Sequence, residues 1–254
     1  MSQEKYDDNQ EWSQSVIASD RFYKFTLFVP TREHRNDCIF ITFAFAPRRQ
    51  KDDKGWAVDF LLKNGFEVIF VDQLHNSSYQ GLSREKFKSI VTPYVAGKKV
   101  VTYGTSLGGY AALYFGSCLE ASILSFAPRL CRDPDLLKRY PKLMEYQWVK
   151  SPTSPLIHEK ICDIDINPKC CLHVCLDPKH PADNWFFYNK INAAFGTVYL
   201  LKVPNASHHP AEALKKKGYL KKLVLNVANE RAFEGIYISL DQNNIIASPS
   251  EKAD

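Results

Sequence analysis

The apolar positions of this chain fall in short blocks separated by polar loops, and the blocks are of two kinds. Residues 38–46 (CIFITFAFA) and 66–72 (FEVIFVD) are almost continuously apolar and rich in β-branched and aromatic side chains. Such runs suit strands buried on both faces, at the centre of a helix-flanked sheet. Residues 22–29 predict a further strand, joined to 38–46 by the polar turn 30–37, and 99–103 (KVVTY), 121–127, 170–176 and 197–203 complete the set. Between them lie stretches that read as helices. These are 56–63 with Gly65 as its stop, 83–96 with Ser83 as cap and Lys86 in the first turn, 107–119, 184–194, and the amphipathic 211–227. Strand and helix therefore alternate, which predicts the α/β class: a mostly parallel central sheet, wound by right-handed crossovers and flanked by helices.

Three stretches depart from the rhythm. Residues 128–169 hold six prolines and a cluster of Tyr140, Tyr146 and Trp148. They predict either a cap or lid insertion of short helices or a long irregular crossover. Residues 1–20 are polar and acidic and predict a loosely held start. Residues 240–254 predict a polar, disordered tail, leaving 21–239 as a single domain. No apolar leader region precedes the first strand, and no apolar run approaches the length of a membrane span, so neither is expected.

The residues that carry chemistry sit where strand 99–103 gives way to helix 107–119. Gly104-Thr105-Ser106-Leu107-Gly108 has the spacing G-x-S-x-G. A serine hydroxyl reacts only if its oxygen stands clear of the backbone and a base can take its proton. A sharp strand-to-helix turn lifts the side chain out, and glycines on either side leave room for the backbones that the turn brings together. The structural alternative is a glycine-rich turn with a bystander serine.

With this turn and the element order around it, residues 22–230 resemble the α/β-hydrolase superfamily. The longer string YGTSLGGYAALYF is similar to that of small hydrolase-like proteins associated with bacterial polysaccharide biosynthesis. The resemblance implies the chain order serine, acid, histidine, with the histidine in the loop after the last core strand. Residues 204–210 (PNASHHP) are that loop. His208 is preferred as base over His209, which directly precedes Pro210 and is restricted to extended backbone. Both could instead merely cap the following helix. His34, His75, His158 and His180 lie mostly elsewhere in the order. The acid follows strand 170–176, as Asp183 just before a helix or as Asp177 at the strand end. Their plainer roles are a helix cap and a proline turn. The oxyanion hole would use the backbone N–H of Leu107 and of Phe45 or Ala46, because Pro47 has none.

Composition changes this picture little. The 254 residues are 45% apolar and 24% charged, enough for one α/β domain. The net charge is +5, and the one basic run, Lys215, Lys216, Lys217, Lys221 and Lys222, reads as a solvated helix face, so no nucleic-acid partner is expected. Seven cysteines without a CxxC pair fit a reduced, cytoplasmic protein with buried thiols. Cys171, His173 and Cys175 share one strand face but lack a fourth ligand, so core packing is favoured over metal. His75, Asn76 and Tyr79 lie in the loop after strand 66–72 and could line a pocket or a solvated loop. The expectation is a serine hydrolase without cofactor or metal. Its substrate would be a small-molecule or glycan acyl compound. An acyltransferase with the same residues, or a non-catalytic binding protein of this fold, is the alternative.

Overall fold

The structure is a computed structural model that describes residues 11–31, 36–45, 55–150, 152 and 154–231. Eight strands form one sheet in the order β1-β2-β4-β3-β5-β6-β7-β8. They are β1 Trp12–Ser19, β2 Tyr23–Pro30, β3 Cys38–Phe43, β4 Glu67–Gln73, β5 Lys99–Thr105, β6 Ala121–Phe126, β7 Cys171–Leu176 and β8 Val198–Lys202. The pairings from β4 to β8 are all parallel, and β1 and β2 join antiparallel at one edge. The expected mostly parallel sheet is thus the one observed. β2 and β3 are consecutive in sequence, yet β4 lies between them.

Alternation along the strands divides the core in two. Ile39, Ile41 and Phe43 of β3 point into one cluster, with α2 (Arg84–Val95) and α3 (Leu107–Gly116). Cys38 and Phe40 point into the other, with α1 (Val58–Lys63), α7 (Pro210–Lys216) and α8 (Leu220–Ala228). Every residue of β3 is buried, as a strand covered on both faces requires. Each wholly buried Phe or Ile contributes about 1.5–3 kcal/mol. Phe43, Phe87 and Phe115 pack ring on ring, at centroid separations of 6.0, 5.9 and 5.1 Å, and seat α2 and α3 on the sheet.

Several boundaries differ from the sequence reading. Residues 12–19, expected as part of a loose start, form β1, an edge strand whose side chains are mostly exposed and whose apolar residues do not alternate. The single closing helix is two, α7 and α8, because Gly218 adopts φ 78 and turns the chain between them. The helix expected at 184–194 starts earlier, as α6 Pro181–Phe186, and then widens into a π-turn and a 3₁₀-turn. Between β6 and β7 run α4 (Pro134–Arg139), α5 (Gln147–Lys150) and two short 3₁₀-turns. The C-terminal tail expected at 240–254 lies outside the described residues. Among the described residues, no helix is long and apolar enough to cross a membrane.

Candidate active site

The carboxyl ends of the parallel strands gather along one edge of the sheet, where ligands bind in open α/β folds. The loops after β3, β5, β6, β7 and β8 bring Phe45, Ser106, Arg129, Asp183 and His208 to that edge.

Ser106 stands between β5 and α3 with φ 55 and ψ −121. Holding a residue with a Cβ in such a conformation costs about 1–3 kcal/mol. Its backbone is pinned: the N–H donates to Phe126 O at 2.8 Å, and the carbonyl accepts from Tyr110 N at 2.9 Å and Arg129 N at 3.2 Å. A Cβ on Gly104 would lie 2.1 Å from Gly108 O, and one on Gly108 would lie 2.6 Å from Phe43 O and 3.0 Å from Ala44 O. Glycine at both positions lets the turn press against the end of β3. Leu107, the first residue of α3, has an N–H without an intrahelical acceptor. Ala46, the other expected donor, lies outside the described residues.

His208 belongs to a turn closed by His209 N donating to Ala206 O at 2.9 Å, with Asn205 and Ser207 at φ 61 and 51. Its Nδ1 lies 2.7 Å from Asp183 Oδ2, and its Nε2 lies 2.8 Å from Ser106 Oγ. A carboxylate only accepts, so Nδ1 carries the proton and Nε2 is left to accept from the serine hydroxyl. Asp183 is fully buried. Its Oδ1 accepts from Arg129 Nη1 at 3.0 Å, and its Oδ2 also lies 2.9 Å from His180 Nδ1. Burial pushes the Asp183 carboxyl up, but hydrogen bonds from His180 and His208 and the charge of Arg129 outweigh it and hold the group at about 2. Burial pushes His208 below the ordinary imidazole value, although its bond to Asp183 pulls the other way. At neutral pH this arrangement holds a charged carboxylate, a neutral ring and a hydroxyl in line, and it can move a proton from Oγ to Nε2.

The remaining expected residues lie apart from this line. Asp177 is buried, but its oxygens accept from backbone, Oδ2 from Ser207 N at 2.6 Å and Oδ1 from Lys179 N at 2.9 Å. His209 is largely exposed and approaches Glu212 at 4.0 Å. His34 is outside the described residues. Tyr79 does not line a pocket: it is 1% exposed, and its hydroxyl donates to Ala44 O at 2.7 Å, which braces the loop after β3. His75 is exposed and Asn76 half-buried. His173 is buried and stacks on Tyr199 at 5.0 Å, consistent with core packing. The sequence reading did not single out Arg129, and it named His180 only among the histidines set aside as base. Arg129 stands after Ala127 and Pro128 in the loop that follows β6, at the same edge as the other loops of the site.

His180, Asp183 and His208 place three donor atoms within 4.8 Å of one another. Arg129 already occupies the same carboxylate and Ser106 the same ring, so the donors are engaged in hydrogen bonds and a guanidinium stands where a second cation would be repelled.

No protein-family model matches the sequence, and no curated protein matches it. Solved structures match it in shape. The capsule O-acetyltransferase of Neisseria meningitidis serogroup A superposes with a TM-score of 0.53 at 16% identity, over 82% of this chain and 93% of that one. A mutant of that protein has been solved in complex with CoA. An esterase of Pyrococcus furiosus gives a TM-score of 0.53 at 13% identity, over 87% and 91% of the two chains. The dienelactone hydrolase of Anabaena variabilis gives 0.50 at 16% identity, over 87% and 97%.

Proposed function

The chain has the α/β-hydrolase fold, and from that premise we propose that it is a serine hydrolase that cleaves a carboxyl ester or thioester through an acyl-enzyme on Ser106. The observation that carries this reading is the unbroken hydrogen-bonded path from Asp183 through His208 to Ser106, at 2.7 and 2.8 Å. His208 Nε2 takes the hydroxyl proton as Oγ attacks the acyl carbonyl. Asp183 stays ionised, orients the ring and stabilises it while it is protonated. The N–H groups of Leu107 and of Phe45 or Ala46 hold the oxyanion. His208 then gives its proton to the leaving oxygen or sulfur as that bond breaks. Water, activated by the same ring, adds to the acyl carbon, and Ser106 regains its proton as the acid departs. The substrate class is an acylated small molecule, with an acylated sugar or glycan as the finer reading. The segment 128–169 would cap the site.

A second reading uses the same residues with a different acceptor. The capsule O-acetyltransferase shares the fold, and a sugar hydroxyl in place of water would make this chain an acyltransferase.

Labelling with a fluorophosphonate probe tests both. Wild type is expected to label and Ser106→Ala to lose all labelling while keeping its fold. An unlabelled wild type, or a Ser106→Ala variant that still labels, would remove the serine from the mechanism and favour a binding role for the fold. Product analysis with and without sugar acceptors then separates hydrolysis from transfer.

A further inference from the structure

We propose that Arg129 is a positioning residue of this site, one that fixes the Asp183 carboxylate and opposes positive charge on His208. The inference rests on the reading of Ser106, His208 and Asp183 as the reacting line. Arg129 follows Ala127, at φ 43, and Pro128 at the carboxyl end of β6, and its own N–H donates to the Ser106 carbonyl. The side chain then turns inward and is 4% exposed. Nη1 donates to Asp183 Oδ1 at 3.0 Å, Nε donates to Cys131 Sγ at 3.3 Å, and Nη2 stands 3.4 Å from His208 Nε2. Burying a guanidinium is costly, and an apolar side chain would fill the same space at no such cost. Its presence needs a reason in the charge it carries.

Charge counting supplies one. A serine, histidine and carboxylate alone carry −1 at rest and become neutral when the ring takes a proton. With Arg129 the resting group is neutral and the proton-loaded group carries +1. The ring therefore gains a proton readily only when negative charge develops beside it, as it does on the oxyanion of an attacked carbonyl. Solvent acid has no such help, so the base stays available at mildly acidic pH. The groups facing His208 are Asp183 on α6, His180 before that helix, Arg129 from the loop after β6, Ser106 at the start of α3 and His209 beside it. Cys131 and Tyr146 face Arg129. Burial pushes the ring down, Asp183 pulls it up, and Arg129 and His180 add to the downward push.

The test is an NMR titration of the His208 ring in wild type, Arg129→Gln and Arg129→Lys, beside a pH profile of kcat/KM. Glutamine keeps a donor for Asp183 and removes the charge; lysine keeps the charge. The His208 midpoint is expected to rise by about one pH unit in the glutamine variant and to return in the lysine variant. The acid limb of kcat/KM should move with it, so that the glutamine variant loses about tenfold more activity at pH 5.5 than at pH 8. An unmoved midpoint overturns the proposal, because a role in packing alone would lower activity or Tm without shifting it. Should the glutamine variant fail to fold, Arg129→Met, which fills the same space without charge, is compared with the wild-type value: a midpoint raised by about one unit upholds the proposal, and an unmoved one overturns it. The titration needs no turnover, so a chain without hydrolase activity leaves this result readable.

Discussion

Asp177 and Asp183 are both buried carboxylates after β7, and their partners divide the work between them. Asp183 meets the His208 ring, whereas Asp177 meets backbone, accepting from Ser207 N at 2.6 Å. Ser207 is left-handed, at φ 51, and immediately precedes His208. Asp177 therefore holds the peptide that aims the histidine, and Asp183 holds the ring itself. Loss of Asp183 acts on the chemistry: Asp183→Asn is expected to lower kcat by about 10³–10⁴-fold while the fold persists. Loss of Asp177 acts on the loop. Asp177→Ala leaves the Ser207 N–H without its acceptor, costing about 1–3 kcal/mol of stability, and should lower kcat only about tenfold. Chemical denaturation and steady-state kinetics on the two variants check this. A larger kcat loss for Asp177→Ala than for Asp183→Asn would transfer the acid's role to Asp177.

The turn from β5 into α3 works as an element because two backbones touch across it. In Gly108→Ala the new methyl would meet the carbonyl oxygens of Phe43 and Ala44, which are fixed by the sheet. The end of β3 must yield, and the Phe45 segment moves with it. The expected result is a loss of about 1–3 kcal/mol together with at least a hundredfold slower probe labelling. Gly218→Ala is the control: it sits at φ 78 with nothing within 4 Å, far from any contact of this kind. It should cost about 1 kcal/mol and leave labelling unchanged. Equal labelling rates for the two variants would refute the contact argument. The same contacts explain what was legible in the sequence. β3, β4 and β5 are buried on both faces or nearly so, and their continuous apolar runs say as much. β1 was illegible because its apolar residues, Trp12, Val16, Ile17 and Ala18, do not alternate with polar ones as a strand's should. The resemblance to the α/β-hydrolase superfamily implied the order serine, acid, histidine, and Ser106, Asp183 and His208 stand in that order and meet at 2.7 and 2.8 Å. Arg129 and His180 also lie in loops after strands, but nothing in the sequence names the carboxylate they meet, because that is set by packing between loops. The loop after β4 opens at the carboxyl edge of the sheet, which left Tyr79 to line a pocket or lie in solvent, yet the chain turns left-handed at Ser78 and Tyr79 and buries the ring.

At the scale of the whole molecule, the two faces of the sheet each hold an imidazole that the fold keeps neutral. His158 joins the segment after α5 to the loop after β4. Gln80 Oε1 accepts from the N–H groups of Ile157 and His158 at 2.6 and 2.8 Å, Gln80 Nε2 donates to His158 Nδ1 at 3.1 Å, and His158 Nε2 donates to Leu82 O at 2.9 Å. Its ring stacks on Tyr114 of α3 at 4.6 Å. His173 lies on the other face, beside Tyr199. Burial pushes both rings down to about 4, against hydrogen bonds to the Leu82 and Ile123 backbone that pull the other way. The unfolded chain, with histidines near 6.5, therefore binds protons that the folded chain refuses. The stability is complete above about pH 6.5 and is lost as the pH falls from there to about 4, by a few kcal/mol for the pair. Asp183, held at about 2 against an ordinary 3.8, adds a second loss only below about pH 4. Urea unfolding from pH 7.5 to 3 should thus show a flat region, a fall between about 6.5 and 4, and a further fall below it. Glutamine in place of His158 can donate and accept but cannot titrate, so His158→Gln should remove a large part of the first fall, to which His173 and the lowered His208 also contribute, and leave the second intact. A wild type whose stability is level between pH 7 and 4, or a His158→Gln variant that falls as steeply as wild type, would show that the neutral ring is not what couples this fold to acid.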